Sequence, residues 1–545
     1  MEELKAIAMS RRSVLKTAAT ALLLSQAALL EDLASPVVRP AAAATAFSDI
    51  QFDLGAFVRP AQVFNDGAGS VQAQFGVTYA LFLPAKLTRT PTKADQATLA
   101  NALNTIEASY PASPAGVLIG SVSYGVPYFN RLPQALVNAN MPQTVPFQTG
   151  MGTLPGGRPV LVEATPMPTD VVGGFVGGPN AIIPNVTKDR FNVNVVIENN
   201  DVLFQFRSDS TANLAAVPLW LMGSNNLNGK GVPSPNFNGL FSFQQTRLQF
   251  VQPGLPRTMA NNQGFDFAPR INPNSSMTMG FVDQQVNASG PPAICTFAGN
   301  SSAKLTNAQL GSYFDNGSIA HFSHDIEDLF QFYAQPNQDP NRPNGEPFTE
   351  RCQYMFRSNQ LGTTNGIPAA GNTDQFTNGG GPAFINNVFQ GTGSAAAAAQ
   401  DSGGLFAPGQ NQTINATFTG AGRVGHIDGL QRASRAPDGT PLHIRNDGPG
   451  LDGMDVPAFR SYPTNVGVNY QAGSAMFKLQ FLMFVPTADL FTAMRTGVAA
   501  QDLQHQFLAD QDDDNGLERF ITATRRQNFL VPPRRHRAFP LLELT

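Results

Sequence analysis

Three short segments carry the residues best suited to chemistry. Ser276–Gln284 (SMTMGFVDQ) holds one acid, Asp283; Arg423–Ile427 (RVGHI) holds His426; Leu442–Gly448 (LHIRNDG) holds His443 and Arg445. A carboxylate can carry a proton between two atoms within its reach. An imidazole can hold a metal, and a guanidinium can meet negative charge that develops on oxygen. Each residue also has an ordinary reading. Asp283 suits a turn, Arg445 suits a surface ion pair with Asp447 or Asp452, and a lone histidine is most often a hydrogen-bonded core or surface group. The other histidines are His321, His324, His505 and His536. The three-residue spacing of His321 and His324 could serve a metal on a helix, but the local pattern is that of a strand end running into a capped helix.

These residues must be placed in a compartment and on a scaffold. The N-terminus reads Ser10-Arg11-Arg12-Ser13-Val14-Leu15-Lys16, followed by an apolar run to Leu30 and a small-residue site at Ala44-Thr45-Ala46. Paired arginines ahead of a moderately apolar segment match a twin-arginine export signal. Residues 1–46 are read as that signal, and the mature chain is expected outside the cytoplasm. The rest of the sequence holds no second segment able to span a membrane. A net charge of −4 gives no reason to expect a nucleic-acid partner. Charged residues make up only 14%, yet forty phenylalanines supply enough apolar area for a large core. Cys295 and Cys352 either form one disulfide or remain buried thiols. Trp220 and the tyrosines suit either electron relay or core packing.

The periodicities describe an α+β protein. Gly76–Ala85, Val117–Ser123, Asp201–Arg207 and Phe241–Val251 read as strands. Thr92 to Asp95 is a capping box, and Leu99, Leu103, Ile106 and Tyr110 share one face of the helix that follows, stopped by Pro111. Ser210–Met222 predicts a helix kinked at Pro218. The second half repeats the plan. Ser318–Phe322 is a short strand, and Ile326, Leu329, Phe330 and Tyr333 predict a helix whose first turn carries Asp325, Glu327 and Asp328. Phe477 to Val485 alternate along a strand, and Leu517, Phe520, Ile521 and Thr524 predict a closing helix. The expectation is two ferredoxin-like halves, 47–270 and 271–545, each an antiparallel sheet with helices packed on it, of the dimeric α+β barrel type. Segments 133–187, 254–274 and 362–420, rich in Gly, Asn and Pro, read as insertions that either line a substrate entrance or, the favoured reading, pad the fold.

Several of these pieces resemble the dye-decolourising peroxidases. Leu118–Gly125 with Tyr128-Phe129, Asn200–Arg207, Phe477–Pro486 and Gln527–Pro533 resemble strands of that family. Gly280-Phe281-Val282-Asp283-Gln284 resembles its Gly-x-x-Asp-Gly signature, with Gln284 in place of the last glycine. A full copy occurs at Gly425-His426-Ile427-Asp428-Gly429, but the family's acid precedes its histidine in the chain, which favours Asp283 over Asp428. The resemblance implies haem b in the C-terminal half. His426 would be its proximal iron ligand, Arg423 and Arg432 would face its propionates, and Gly280 would allow close backbone approach. Asp283 would shuttle a proton between the two oxygens of hydrogen peroxide, and Arg445 would stabilise the departing oxygen. This leaves water and a ferryl haem that an organic electron donor resets. His443 is the rival ligand; in that case the distal guanidinium would come from elsewhere, such as Arg460. Two departures, Gln284 and the lack of a carboxylate within Gln471–Met476, would also suit a non-catalytic haem-binding protein on the same fold. The low charge and Gly/Asn/Pro-rich segments suit a third reading, an extracellular β-rich binding or structural protein.

Overall fold

The computed structural model describes residues 47–60, 75–177, 193–262, 303–329, 441–452, 478–499 and 520–545. It adds shorter pieces at 62–65, 70–73, 191, 264–265, 268, 271, 275–279, 291–299, 332, 426, 430, 433–434, 436 and 517–518. The expected export signal, the 362–420 segment and Cys352 lie outside the described residues.

Eight strands carry the architecture. β1 (Tyr79–Leu87), β2 (Leu118–Gly125), β3 (Val202–Ser208) and β4 (Arg247–Phe250) come first in the chain. β5 (Ser318–Glu327), β6 (Gly448–Asp452), β7 (Lys478–Val485) and β8 (Ile521–Val531) follow. Hydrogen-bonded neighbours run β4-β1-β3-β2 in the first set and β8-β5-β7-β6 in the second, all antiparallel. Within each set that is the order 4-1-3-2, the βαββαβ ferredoxin-like arrangement expected from the sequence. Two seams join the sets. At one, Phe529 and Leu530 of β8 face Gly125 and Tyr124 of β2. At the other, Arg247, Leu248 and Gln249 of β4 face Asp452, Leu451 and Gly450 of β6. The eight strands therefore form a closed ring, which removes the exposed edges that an open sheet must protect.

Local sequence explains the helices on this ring. α1 (Lys93–Ser109) starts at the predicted capping box: Thr92 accepts from the Asp95 amide and the Asp95 carboxylate accepts from the Thr92 amide. Its buried stripe is Leu99, Ala102, Leu103 and Ile106. α2 (Thr211–Leu221) is capped by Ser210 and contains Pro218, and the Trp220 indole donates to the Val232 carbonyl at 3.1 Å from within the core. α3 (Ala488–Val498) is capped by Thr487 and buries Leu490, Phe491 and Met494.

Four expectations are corrected. Ser318–Glu327 is one ten-residue strand, so Asp325 and Glu327 are not in a helix, and the next helical residue is Leu329. The region of the expected closing helix is instead β8, beginning at Ile521. Both errors share a cause: these strands are buried on both faces, apolar side chains do not alternate, and chance spacings of three and four imitate a helix. Phe241–Val251 is broken into Phe241–Phe243 and β4. The 133–187 and 254–274 segments are not padding, since Val160, Leu161, Met167, Leu255 and Met259 join the core.

The β2–β8 seam is held by side chains as well as by backbone. The Gln51 amide donates to the carbonyls of Val122 (3.2 Å) and Pro532 (2.7 Å), and its oxygen accepts from the Val122 amide (2.9 Å). Gln527 of β8 accepts from the Asn200 backbone and side-chain amides at 3.0 and 2.9 Å. A Cβ on Gly125 would come within 2.3 Å of the Asn200 carbonyl, which explains the glycine that ends β2. Beyond β8 the chain crosses back over the first half. The Tyr124 hydroxyl donates to the Arg537 carbonyl and accepts from the Phe539 amide, and the Tyr128 hydroxyl donates to the Pro540 carbonyl. Arg537 grips Glu107 of α1 at 2.6 and 2.8 Å. Gln51→Ala removes one side chain from three buried backbone partners. It should lower unfolding free energy by about 1–3 kcal/mol, read as a drop in denaturant midpoint at constant m-value.

Candidate functional site

Arg445 lies on the short strand Ile444–Arg445, directly opposite Met483 of β7, and Met483 is opposite His321 of β5. Opposed residues in antiparallel strands project to the same face, so Arg445, Met483, His321 and Asn528 form one row across the sheet. This face is covered by α3, because the His321 ring stacks on Phe491 with centroids 3.6 Å apart. Arg445 is half-buried and pairs with Asp447 at 3.8 Å. His443 is buried and immediately precedes the short strand. His426 is helical and half-buried. Leu430 and Ala433 are also helical, and both are buried. Asp283, Gly280, Arg423, Arg432, Asp428 and Arg460 lie outside the described residues.

The structure corrects the reading of His321 and His324. Both sit in the middle of a buried strand rather than at its end. His321 Nδ1 is 2.7 Å from the Asn528 amide oxygen and its Nε2 is 3.4 Å from Arg526 Nη1. Burial and the Arg526 charge hold its pKa well below the usual histidine range, so the ring is neutral. Both ring nitrogens thus lie within hydrogen-bond distance of buried side chains. His324 shares its Nδ1 with the Thr524 hydroxyl. Among the described residues, no group of three metal-ligating side chains gathers.

Around this row lies a layer of buried charge that sequence reasoning missed. Arg526 of β8 makes a two-pronged pair with Asp170, at 2.6 and 2.8 Å, with both side chains almost wholly buried. Arg495 of α3 grips Glu518 at 2.9 and 2.5 Å, and Thr169 reaches the same carboxylate. Asp325 is raised by burial, against the pull of Arg526 and Arg495. Glu327 accepts from the Thr278 hydroxyl and is pushed up to about 7 by burial, with Asp325 and Asp447 adding to the shift and Thr278 opposing it. Asp170 belongs to a segment read as padding, and no local pattern linked it to Arg526. The only available signal was the presence of charged residues inside apolar strands, which must be partnered. Cys295 is a buried free thiol.

Comparison with known proteins adds three findings. Residues 394–533 match the model of a family described as of unknown function, DUF7405; this span includes His426 and Arg445. Comparison with curated proteins gives no match. Among solved structures, the chain is similar to the encapsulated DyP-type peroxidase of Mycobacterium smegmatis, with 14% identity, coverage of 85% of this chain and 94% of that one, and a TM-score of 0.39. A dye-decolorizing protein from V. cholerae gives 11%, 85%, 95% and 0.37. A dye-decolorizing peroxidase from Bacteroides thetaiotaomicron gives 12%, 85%, 94% and 0.37.

Replacing Asp170 by Asn strands the Arg526 guanidinium in a buried setting. Destabilisation of about 3–5 kcal/mol is expected, and the paired Asp170→Leu, Arg526→Met change should recover most of it in the same unfolding assay.

Proposed function

We propose that this chain is an exported haem peroxidase of the dye-decolourising type. It would reduce hydrogen peroxide and oxidise an organic donor. The observation that carries the reading is the placement of Arg445 on the α3-covered face of the second ferredoxin-like set, with His426 helical and half-buried. Support also comes from the order Asp283, His426, Arg445 along the chain and from the motifs that resemble the family. The division of the chain into 1–46, 47–270 and 271–545 belongs to the same proposal.

The donor set suits haem b: one imidazole on a partly buried helical face and one guanidinium on a strand. His321 is a neutral ring whose two nitrogens both lie within hydrogen-bond distance of buried side chains. When bound, haem supplies the iron centre at which peroxide is reduced. His426 would hold it through a neutral ring nitrogen. Arg423 would meet its carboxylates. Asp283 would take a proton from one peroxide oxygen and return it to the other, while Arg445 would face the oxygen that gains negative charge. No helix among the described residues is long and apolar enough to cross a membrane.

An absorption spectrum of the purified protein tests the reading. A Soret band is expected, lost in His426→Ala and kept in His443→Ala; the reverse pattern moves the ligand to His443. Peroxide-dependent dye bleaching should fall by at least about a hundredfold in Arg445→Ala with the Soret band retained. Wild-type protein with a Soret band but no turnover would be a haem-binding protein without the enzyme activity, and protein with no Soret band would sink the haem assignment.

A further inference from the structure

The inner face of the ring gathers polar side chains that its strands leave short of partners. Arg247 of β4, Phe82 of β1, Gln205 of β3 and Ser121 of β2 are register neighbours in turn, so they form one row on one face. That row looks into the ring. Phe82 packs on Phe322 of β5 with centroids 4.7 Å apart, and the Arg247 guanidinium carbon lies 4.6 Å from the centre of the Phe322 ring. Gln249, two residues after Arg247, shares the same face. His321 immediately precedes Phe322, and Arg445 lies in the row of His321, so both project to the other face of the sheet.

Arg247 Nη2 donates to both carboxylate oxygens of Glu198, each at 2.6 Å. Its Nε and Nη1 are buried and meet no acceptor among the described residues. The Gln205 oxygen accepts from the Ser121 hydroxyl at 3.4 Å, while its amide nitrogen is buried and likewise unmatched. The Gln249 amide nitrogen reaches the Asn446 side-chain oxygen at 3.5 Å, and its own oxygen meets no donor among the described residues. Buried donors and acceptors without partners cost free energy, most of all on a charged group. Charge is unbalanced too: Glu198 is shared with Arg525, whose Nη1 stands 3.6 Å away, so two guanidiniums meet one carboxylate. Side-chain exposure rises from 2% at Arg247 to 13% at Glu198 and 37% at Arg525, so this trio leads from the interior to solvent. Water could satisfy the hydrogen bonds but not the charge, whereas an oxyanion does both.

We propose that the interior of the ring binds a small, singly charged oxyanion, received by Arg247 Nε and Nη1 and by the Gln205 amide. Glu198 holds the guanidinium through Nη2 and leaves its other nitrogens to the ligand. Arg247 and Gln205 flank Phe82 on neighbouring strands, about 10 Å apart at the backbone, a span that two long side chains can close around a small ion. Gln249 accepts from an O–H on the ion. The site stands apart from the haem reading, because it lies on the face of the sheet opposite Arg445.

The test titrates isotopically labelled hydrogen carbonate into the full chain, as purified, in mildly alkaline buffer. The NMR line of the ion should broaden saturably, with a Kd of about a millimolar, and unlabelled formate should reverse the broadening. Binding should weaken about tenfold in Gln205→Leu, which removes one donor. It should vanish in the double variant Arg247→Met, Glu198→Gln, which removes both charges together and strands neither. The Soret position should not move with the ion, which separates this site from iron. No saturable broadening in wild type, unchanged affinity in Gln205→Leu, or a Soret shift in step with binding overturns the proposal. If the double variant does not fold, the wild-type titration and Gln205→Leu decide it.

Discussion

Closure of the sheet is the constraint on which everything else depends. Eight strands pair around a full turn, so the ring has no open edge strand. The ring is most extensively paired at β5–β8, with ten residue pairs, and thinnest at β2–β8, with two. Gln51, Gln527 and Asn200 cluster at that thin seam because backbone carbonyls and amides there would otherwise lack partners. Gly125 belongs to the same solution, because a side chain would hold the two sets apart.

Closure also leaves each strand with two buried faces. One looks into the ring, where Phe82 packs against Phe322 and the Arg247 guanidinium lies over the Phe322 ring. The other looks toward the helices and carries the row through Arg445, Met483, His321 and Asn528. Polar groups on that outer face are costly unless paired, and most of their partners come from far away in the chain. Asp170 reaches Arg526 from 356 positions away. Such pairing fixes the helix-side layer relative to the sheet. It also keeps His321 neutral beside a guanidinium. Any cofactor on this face would meet a preset charge pattern rather than a pliable apolar slot.

How far the sequence could be read follows from the range of each interaction. α1 was legible except at its last residue, because a capping box and an i, i+4 stripe are local events; Tyr110, expected on the helix face, is the extended residue after it. The ferredoxin-like repeat was legible because strands and helices alternate in order. β5 and β8 were misread because a strand covered on both faces loses the two-residue rhythm that marks a strand. The same holds at the site. Arg445 and His426 stood out through motif order, whereas Asp170, Arg526 and Glu327 did not, since nothing near each one announces its partner. The proposed site residues sit in short motifs; the buried charged pairs of the sheet are set by topology.

The return of the last residues across the first half has a temporal consequence. Tyr124 and Tyr128, near the end of β2, find their hydroxyl partners only at Arg537, Phe539 and Pro540, and Glu107 on α1 finds Arg537. A ribosome delivers those partners 413 positions after Tyr124. The leading half therefore waits through that length of synthesis before its surface is sealed, and a product terminated before Arg537 exposes an aromatic cluster that the longer chain hides.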